Sequence, residues 1–126
     1  MANNRSQLVQ LFVRTITHDV KSYQQLLPLL QQQKSLYLQF DSQALNHNIE
    51  QQTPLLNQLH RSANERSRYL QQLGLPANDH SVQRLLNALP IKLNHKLRTQ
   101  WQTLKSLIQQ CQQLNHSNGQ MSASFQ

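Results

Sequence analysis

The side chains able to do chemistry are few and far apart. The histidines, His18, His47, His60, His80, His95 and His116, come no closer than 13 residues in sequence. Two histidines four apart on a helix would present both rings to one metal ion, and no pair here has that spacing. The acids, Asp19, Asp41, Glu50, Glu65 and Asp79, are equally scattered, so no carboxylate pair is set up for acid–base work. Cys111 stands alone, which rules out an intrachain disulfide and a cysteine metal cluster. It falls on an apolar stripe, where a thiol is a small core residue and not a nucleophile. The only glycines are Gly74 and Gly119, so there is no glycine-rich phosphate loop. The chain reads as a binding protein and not an enzyme, with no catalytic residue, metal or cofactor.

A binder needs a scaffold, and the scaffold is written in the spacing of its leucines. The 126 residues make one domain. Two glycines and four prolines leave few tight turns, which favours long helices. Val9, Val13, Ile16, Val20, Tyr23, Leu27, Leu30 and Tyr37 step by four and three, a heptad-like seam broken at Lys34. Leu8, Leu11, Phe12 and Leu26 widen it. Pro28 lies inside the pattern and should bend the helix without ending it. Asp41-Ser42 is a break at which either residue can cap the next helix.

A second seam runs Leu45, Ile49, Gln52, Leu56, Leu59, Ala63, Arg66, Leu70 and Leu73, with Gln52 and Arg66 as polar interruptions and Pro54 inside. "LGLP" at 73–76 stops it, with Gly74 in the left-handed cap. Ser81 then caps a short helix, Val82 to Leu89. The last long helix carries Leu93, Leu97, Trp101, Leu104, Leu107, Ile108, Cys111 and Leu114 and ends at Asn118-Gly119, both tolerant of positive φ. The expected fold is all-α: an elongated antiparallel bundle of three long helices plus one short. The domain covers 1–119, and 120–126 is a short flexible tail. A second reading keeps the asparagines mid-helix, bonded across to a neighbour or to a bound chain.

The formal net charge is +7. After Asp79 there is no acid, but there are Arg84, Lys92, Lys96, Arg98 and Lys105. Nucleic acid or an acidic protein would suit that balance. At ~100° per residue, however, Arg98 and Lys105 fall on one side of the apolar stripe and Lys92 and Lys96 on the other. Trp101 belongs to the stripe itself and is not free to stack on bases. A basic helical nucleic-acid binder is therefore the alternative and not the main reading. A homotypic coiled coil is disfavoured by Pro28 and Pro54 in the seams. No stretch approaches the roughly 18 apolar residues of a membrane span, and the N-terminus lacks a signal peptide's features. The expectation is a soluble cytoplasmic protein, monomer or homodimer, with no membrane insertion. Leu107 and Leu114 widen the last stripe on one side, a flank able to receive an amphipathic partner helix.

"LKSLIQQCQQLNHSNGQM" resembles the signature end of the flagellar export chaperone FlgN family: a tryptophan, a leucine-spaced helix, a leucine–asparagine step and an Asn-Gly followed by an aliphatic residue. Here these are Trp101, Leu104, Ile108, Cys111, Leu114, Asn115, Asn118, Gly119 and, in the aliphatic place, Met121. The break at "QFDSQAL", the closing "YLQQLGLP" and the short segment before the tryptophan also look like the family. The resemblance implies a cytoplasmic chaperone of flagellar type III export. Its clients would be the hook–filament junction proteins, FlgK and FlgL, whose C-terminal helical segments it captures, shields from early association and delivers to the export gate and its ATPase. Client contact is expected at Leu107, Ile108, Cys111, Leu114, Asn115, Asn118, Gly119 and Met121. Charging Leu107 or Leu114 should then weaken capture while sparing helicity. The chain departs from the family in two ways: little follows the Asn-Gly pair, and the charge is strongly basic.

Overall fold

The computed structural model describes residues 2–125, with side chains described from Asn4 to Gly119. Four helices follow in order: α1 Ala2–Gln39, α2 Ser42–Gln72, α3 Asp79–Asn87 and α4 Ile91–Phe125. The expected all-α architecture of three long helices and one short is what forms. At ~1.5 Å rise per residue, the 38 residues of α1 span about 57 Å. Pro28 and Pro54 sit inside α1 and α2 without ending them. Each frees the carbonyl four residues earlier, and both Gln24 and Glu50 are exposed residues, so the freed carbonyls belong to the solvent side of their helices.

α1 is the central helix. Among the described residues, α2 packs on one flank of it and α4 on the other, while α2 and α4 scarcely touch each other. α2 runs antiparallel to α1, since Asn48 reaches Leu29 and Gln58 reaches His18. α4 runs back alongside α1 in the same direction, with Gln100 at Thr17 and Asn118 at Leu30. Serving two neighbours turns α1 slightly from its sequence seam. Phe12, Ile16, Asp19, Leu26 and Leu30 are fully buried, whereas Val9, Val13 and Val20 lie half-buried along a flank. One core cluster, around Phe12, Ile16, Leu86 and Leu104, fills the α3 end of the bundle. A second, of Leu26, Leu30, Leu59 and Cys111, continues it along the axis. Each such large apolar side chain contributes about 1.5–3 kcal/mol by leaving water.

The turns follow from single residues. Asp41 caps α2, its Oδ1 accepting the Ala44 N–H at 3.1 Å. Just before it, Phe40 holds φ at 55°, the left-handed position usually given to glycine, while Asp41 N–H bonds back to the Leu36 carbonyl. That conformation costs a side-chain-bearing residue about 1–2 kcal/mol. Gly74 takes the left-handed position after α2 as expected, with φ 77°. The cap of α3 is Asn78 and not Ser81: Asn78 Oδ1 accepts the Ser81 N–H at 2.9 Å, and Ser81 is buried inside the helix. The earlier start puts the Asp79 carboxylate in the first turn, where the helix dipole favours it.

The expected stop at Asn118-Gly119 is corrected. α4 continues through both residues to Phe125. Asn118 is held by bonds to α1, and Gly119 is exposed with no positive φ and open space where a Cβ would stand. This fixes the sign of a substitution. A left-handed Gly119 would make alanine destabilising, whereas a helical one makes Gly119→Ala stabilising by about 0.5–1 kcal/mol, read from thermal or urea melts.

Candidate functional site

Because α2 and α4 pack on α1 but hardly on each other, a shallow groove is left between them. Near its α3 end a pocket of about 260 Å³ is walled by Ala63 and Ser67 of α2, by Ala77, Asn78, Asp79 and Val82 at the start of α3, and by Trp101 of α4, with Phe12 and Arg66 at its base. From Ala63, steps of seven along α2 lead to Leu56 and Ile49, exposed by 40% and 42%. From Trp101, steps of seven along α4 lead to Ile108, half-buried, and Asn115, exposed. Residues seven apart lie within about 20° of one another on a helix, so both rows line the same opening. By this register Leu56 and Ile49 of α2 and Ile108 of α4 continue the apolar lining of the pocket, and Asn115 ends it with a polar residue. The groove's shape and chemistry suit an amphipathic helix laid along it.

Polar anchors brace the base of this groove. Asp19 of α1 is fully buried and takes a hydrogen bond on Oδ2 from Nη1 of Arg66. Its other oxygen, Oδ1, is buried without a hydrogen-bond partner, and the His18 ring lies 3.8 Å away. Further along, an amide network joins all three long helices. Asn48 Nδ2 donates to the Leu29 carbonyl and to Gln32 Oε1, both at 2.9 Å. Gln52 Nε2 donates to Asn48 Oδ1 at 2.7 Å and Gln33 Oε1 at 2.8 Å. Asn118 Nδ2 reaches Gln33 Oε1 from α4 at 3.2 Å, as well as the Leu30 carbonyl. Asn118 Oδ1 is buried without a hydrogen-bond partner, yet the network fixes register, because a slip of one turn would strand several more buried amides.

At the α3 end the groove is closed by a three-residue contact. Asp79 Oδ1 accepts the Trp101 indole N–H at 2.8 Å and the Lys105 ammonium at 3.0 Å. Lys105 Nζ also lies 5.9 Å from the Trp101 ring centre. The Trp101 bond, then that of Lys105, holds the Asp79 carboxyl below the usual carboxylate range. A lowered folded pKa means the tether is present above the ordinary aspartate range and is lost only as pH falls through the lower folded value. Trp101 is the sole tryptophan. Its emission is therefore expected to hold steady from neutral into mild acid and to shift at lower pH. Asp79→Asn, which keeps the acceptor and loses the charge, should abolish that step.

The residues expected to meet a client fall into three groups. Leu107, Cys111 and Asn118 are buried against the rest of the bundle. Ile108 and Leu114 are half-buried and pack against the core clusters. Asn115 and Gly119 are exposed. The Met121 side chain lies outside the described residues. Ile108, Asn115 and Gly119 share the groove side of α4, whereas Leu107 and Leu114 lie on its other flank. Ile49 and Leu56 are ordinary seam positions by their spacing, and the helical period alone does not show that they stay two-fifths exposed.

Among the described residues no three His, Cys, Asp or Glu side chains come together as a metal site. Burial pushes the Cys111 thiol up, away from thiolate reactivity, and pushes up the Tyr23 hydroxyl as well. No helix among them is long and apolar enough to cross a membrane. No characterised protein and no solved structure matches the chain. A family model described as FlgN protein does match it, over residues 1–126. With the helix order, the Trp101 helix and the Asn-Gly segment all within that match, the chain belongs to the FlgN family.

Proposed function

We propose that this chain is a cytoplasmic chaperone that holds the C-terminal helical segments of hook–filament junction proteins of the FlgK and FlgL kind, in the groove between α2 and α4. The coarse role, chaperoning flagellar type III export, comes with the family. The client and the groove are our reading, and one observation carries it: Ile49 and Leu56 of α2 stay two-fifths exposed in line with the pocket between Ala63 and Trp101. A disordered amphipathic segment pays its ordering cost when it folds there, so it is shielded while held and released without a large barrier. On α4 the proposed contact surface is Ile108, Asn115 and Gly119. Leu107, Leu114, Cys111 and Asn118 support that helix from behind. Handover to the export ATPase or gate completes the proposed cycle. The test is calorimetric titration with a C-terminal junction-protein segment at two salt concentrations. Saturable binding with a negative heat-capacity change that survives moderate salt is the expected result. Binding that vanishes with salt would favour the basic surface and a polyanion, the nucleic-acid alternative.

A further inference from the structure

The net charge is not spread over the bundle; it belongs to one end. Cut the molecule at the level of Val20 on α1, Gln58 on α2 and Ser106 on α4, positions that the His18–Gln58 and Thr17–Gln100 contacts bring close together. The half containing α3 holds ten of the twelve basic side chains and three of the five acids, which accounts for the whole +7. The other half has Lys21 and Lys34 against Asp41 and Glu50 and is neutral. Two of the three acids at the basic end are already engaged, Asp19 by Arg66 and Asp79 by Lys105.

A pocket opens at this end, apart from the groove. It is walled by Val9 of α1, Leu73 and Leu75 beyond α2, and Leu89 beyond α3. Arg5 and Arg84, both exposed, stand at its rim. Its volume of about 280 Å³ accepts a large aliphatic or aromatic side chain. Beside it in sequence, Ile91 at the start of α4 is 87% exposed.

We infer that this end is a second docking surface, for an acidic protein segment that places an apolar anchor in the pocket and its carboxylates on Arg5 and Arg84. Charge complementarity selects the occupant. Guanidinium groups pair with carboxylates in a fixed fork, and an aliphatic pocket between them adds what a bare charge pair lacks. Nucleic acid shares the charge but not the anchor: no aromatic ring lines this pocket, so bases would have no face to stack on. The pocket and the groove share no lining residue, so a client and the acidic partner can be bound at once. The inference does not depend on the client reading.

The probe is a short synthetic peptide with a Leu-Phe anchor between pairs of glutamates, labelled for fluorescence anisotropy. Saturable binding that weakens with salt is expected, and Arg5→Glu/Arg84→Glu should lower affinity by about tenfold or more without changing the melting curve. Leu75→Asp should also weaken it, and Leu56→Glu, in the groove, should leave it unchanged. The inference is overturned if the peptide does not bind, if the arginine variant binds it normally, or if replacing the anchor by alanines makes no difference. Tighter binding of a single-stranded oligonucleotide, lost in the same arginine variant, would reassign the surface to nucleic acid. Failure of the groove titration with this result intact would remove the client reading alone.

Discussion

Replacing Asp19 by alanine is expected to lower the unfolding free energy by about 3–5 kcal/mol, the largest loss of any single polar substitution in the chain. Asp19 has no solvent exposure, and it is the partner of the Arg66 guanidinium, whose side chain is 11% exposed. Without the carboxylate a positive charge remains near the core with nothing to balance it, and the cost comes from that stranded charge more than from the lost bond. The same logic makes the reverse change severe, since Arg66→Ala leaves a buried carboxylate whose Oδ1 already lacks a hydrogen-bond partner. Replacing both, as Asp19→Leu with Arg66→Met, should recover most of the loss, because two apolar side chains need no mutual compensation. Urea denaturation of the set reads this directly. A loss below about 1 kcal/mol in Asp19→Ala would mean that water reaches the site and the pair is not a dry one.

That pair also shows how far the sequence could be read. Arg66 stood out as a polar residue on the second seam, and so did Gln52. The interruptions were visible, but their partners were not, because Asp19 lies 47 residues from Arg66 and only the antiparallel register of α1 and α2 brings them together. Helix number, order and the stops at Asp41 and Gly74 were legible, since each rests on local spacing or a single cap. The end of the last helix allows two readings, a stop at Asn-Gly or asparagines kept within the helix and bonded to a neighbour, and the second holds for Asn118. Asn-Gly is a good local stop, but Asn118 bonds to the Leu30 carbonyl 88 residues away, and tertiary contact overrides local propensity. Phe40 at positive φ was equally hidden, as nothing in its type announces it. The groove was the least legible feature. Periodicity marks which face of a helix is apolar, not whether a neighbour covers it, so Ile49 and Leu56 looked the same as Leu45 and Leu59.

Ile49→Glu with Leu56→Glu is expected to abolish capture of a junction-protein segment, by about 100-fold or more, while leaving stability within about 1 kcal/mol of the parent. Both side chains are already two-fifths exposed, so the free protein gains carboxylates that water can solvate. The complex would have to desolvate the same carboxylates against the apolar face of a client helix, with no partner provided. At 1.4 kcal/mol per tenfold, two such penalties of about 1–3 kcal/mol each reach the predicted loss. Leu107→Asp is the informative contrast. At 8% exposure that leucine is part of the interior, and a carboxylate there should cost stability and helicity first, with capture lost as a consequence. Circular dichroism and calorimetry on the two variants separate the cases. If Leu107→Asp keeps its helicity and loses the client while Ile49→Glu/Leu56→Glu binds normally, the client lies on the opposite flank of α4, where Leu107 and Leu114 widen the stripe. The groove would then be a gap between helices and not a binding site.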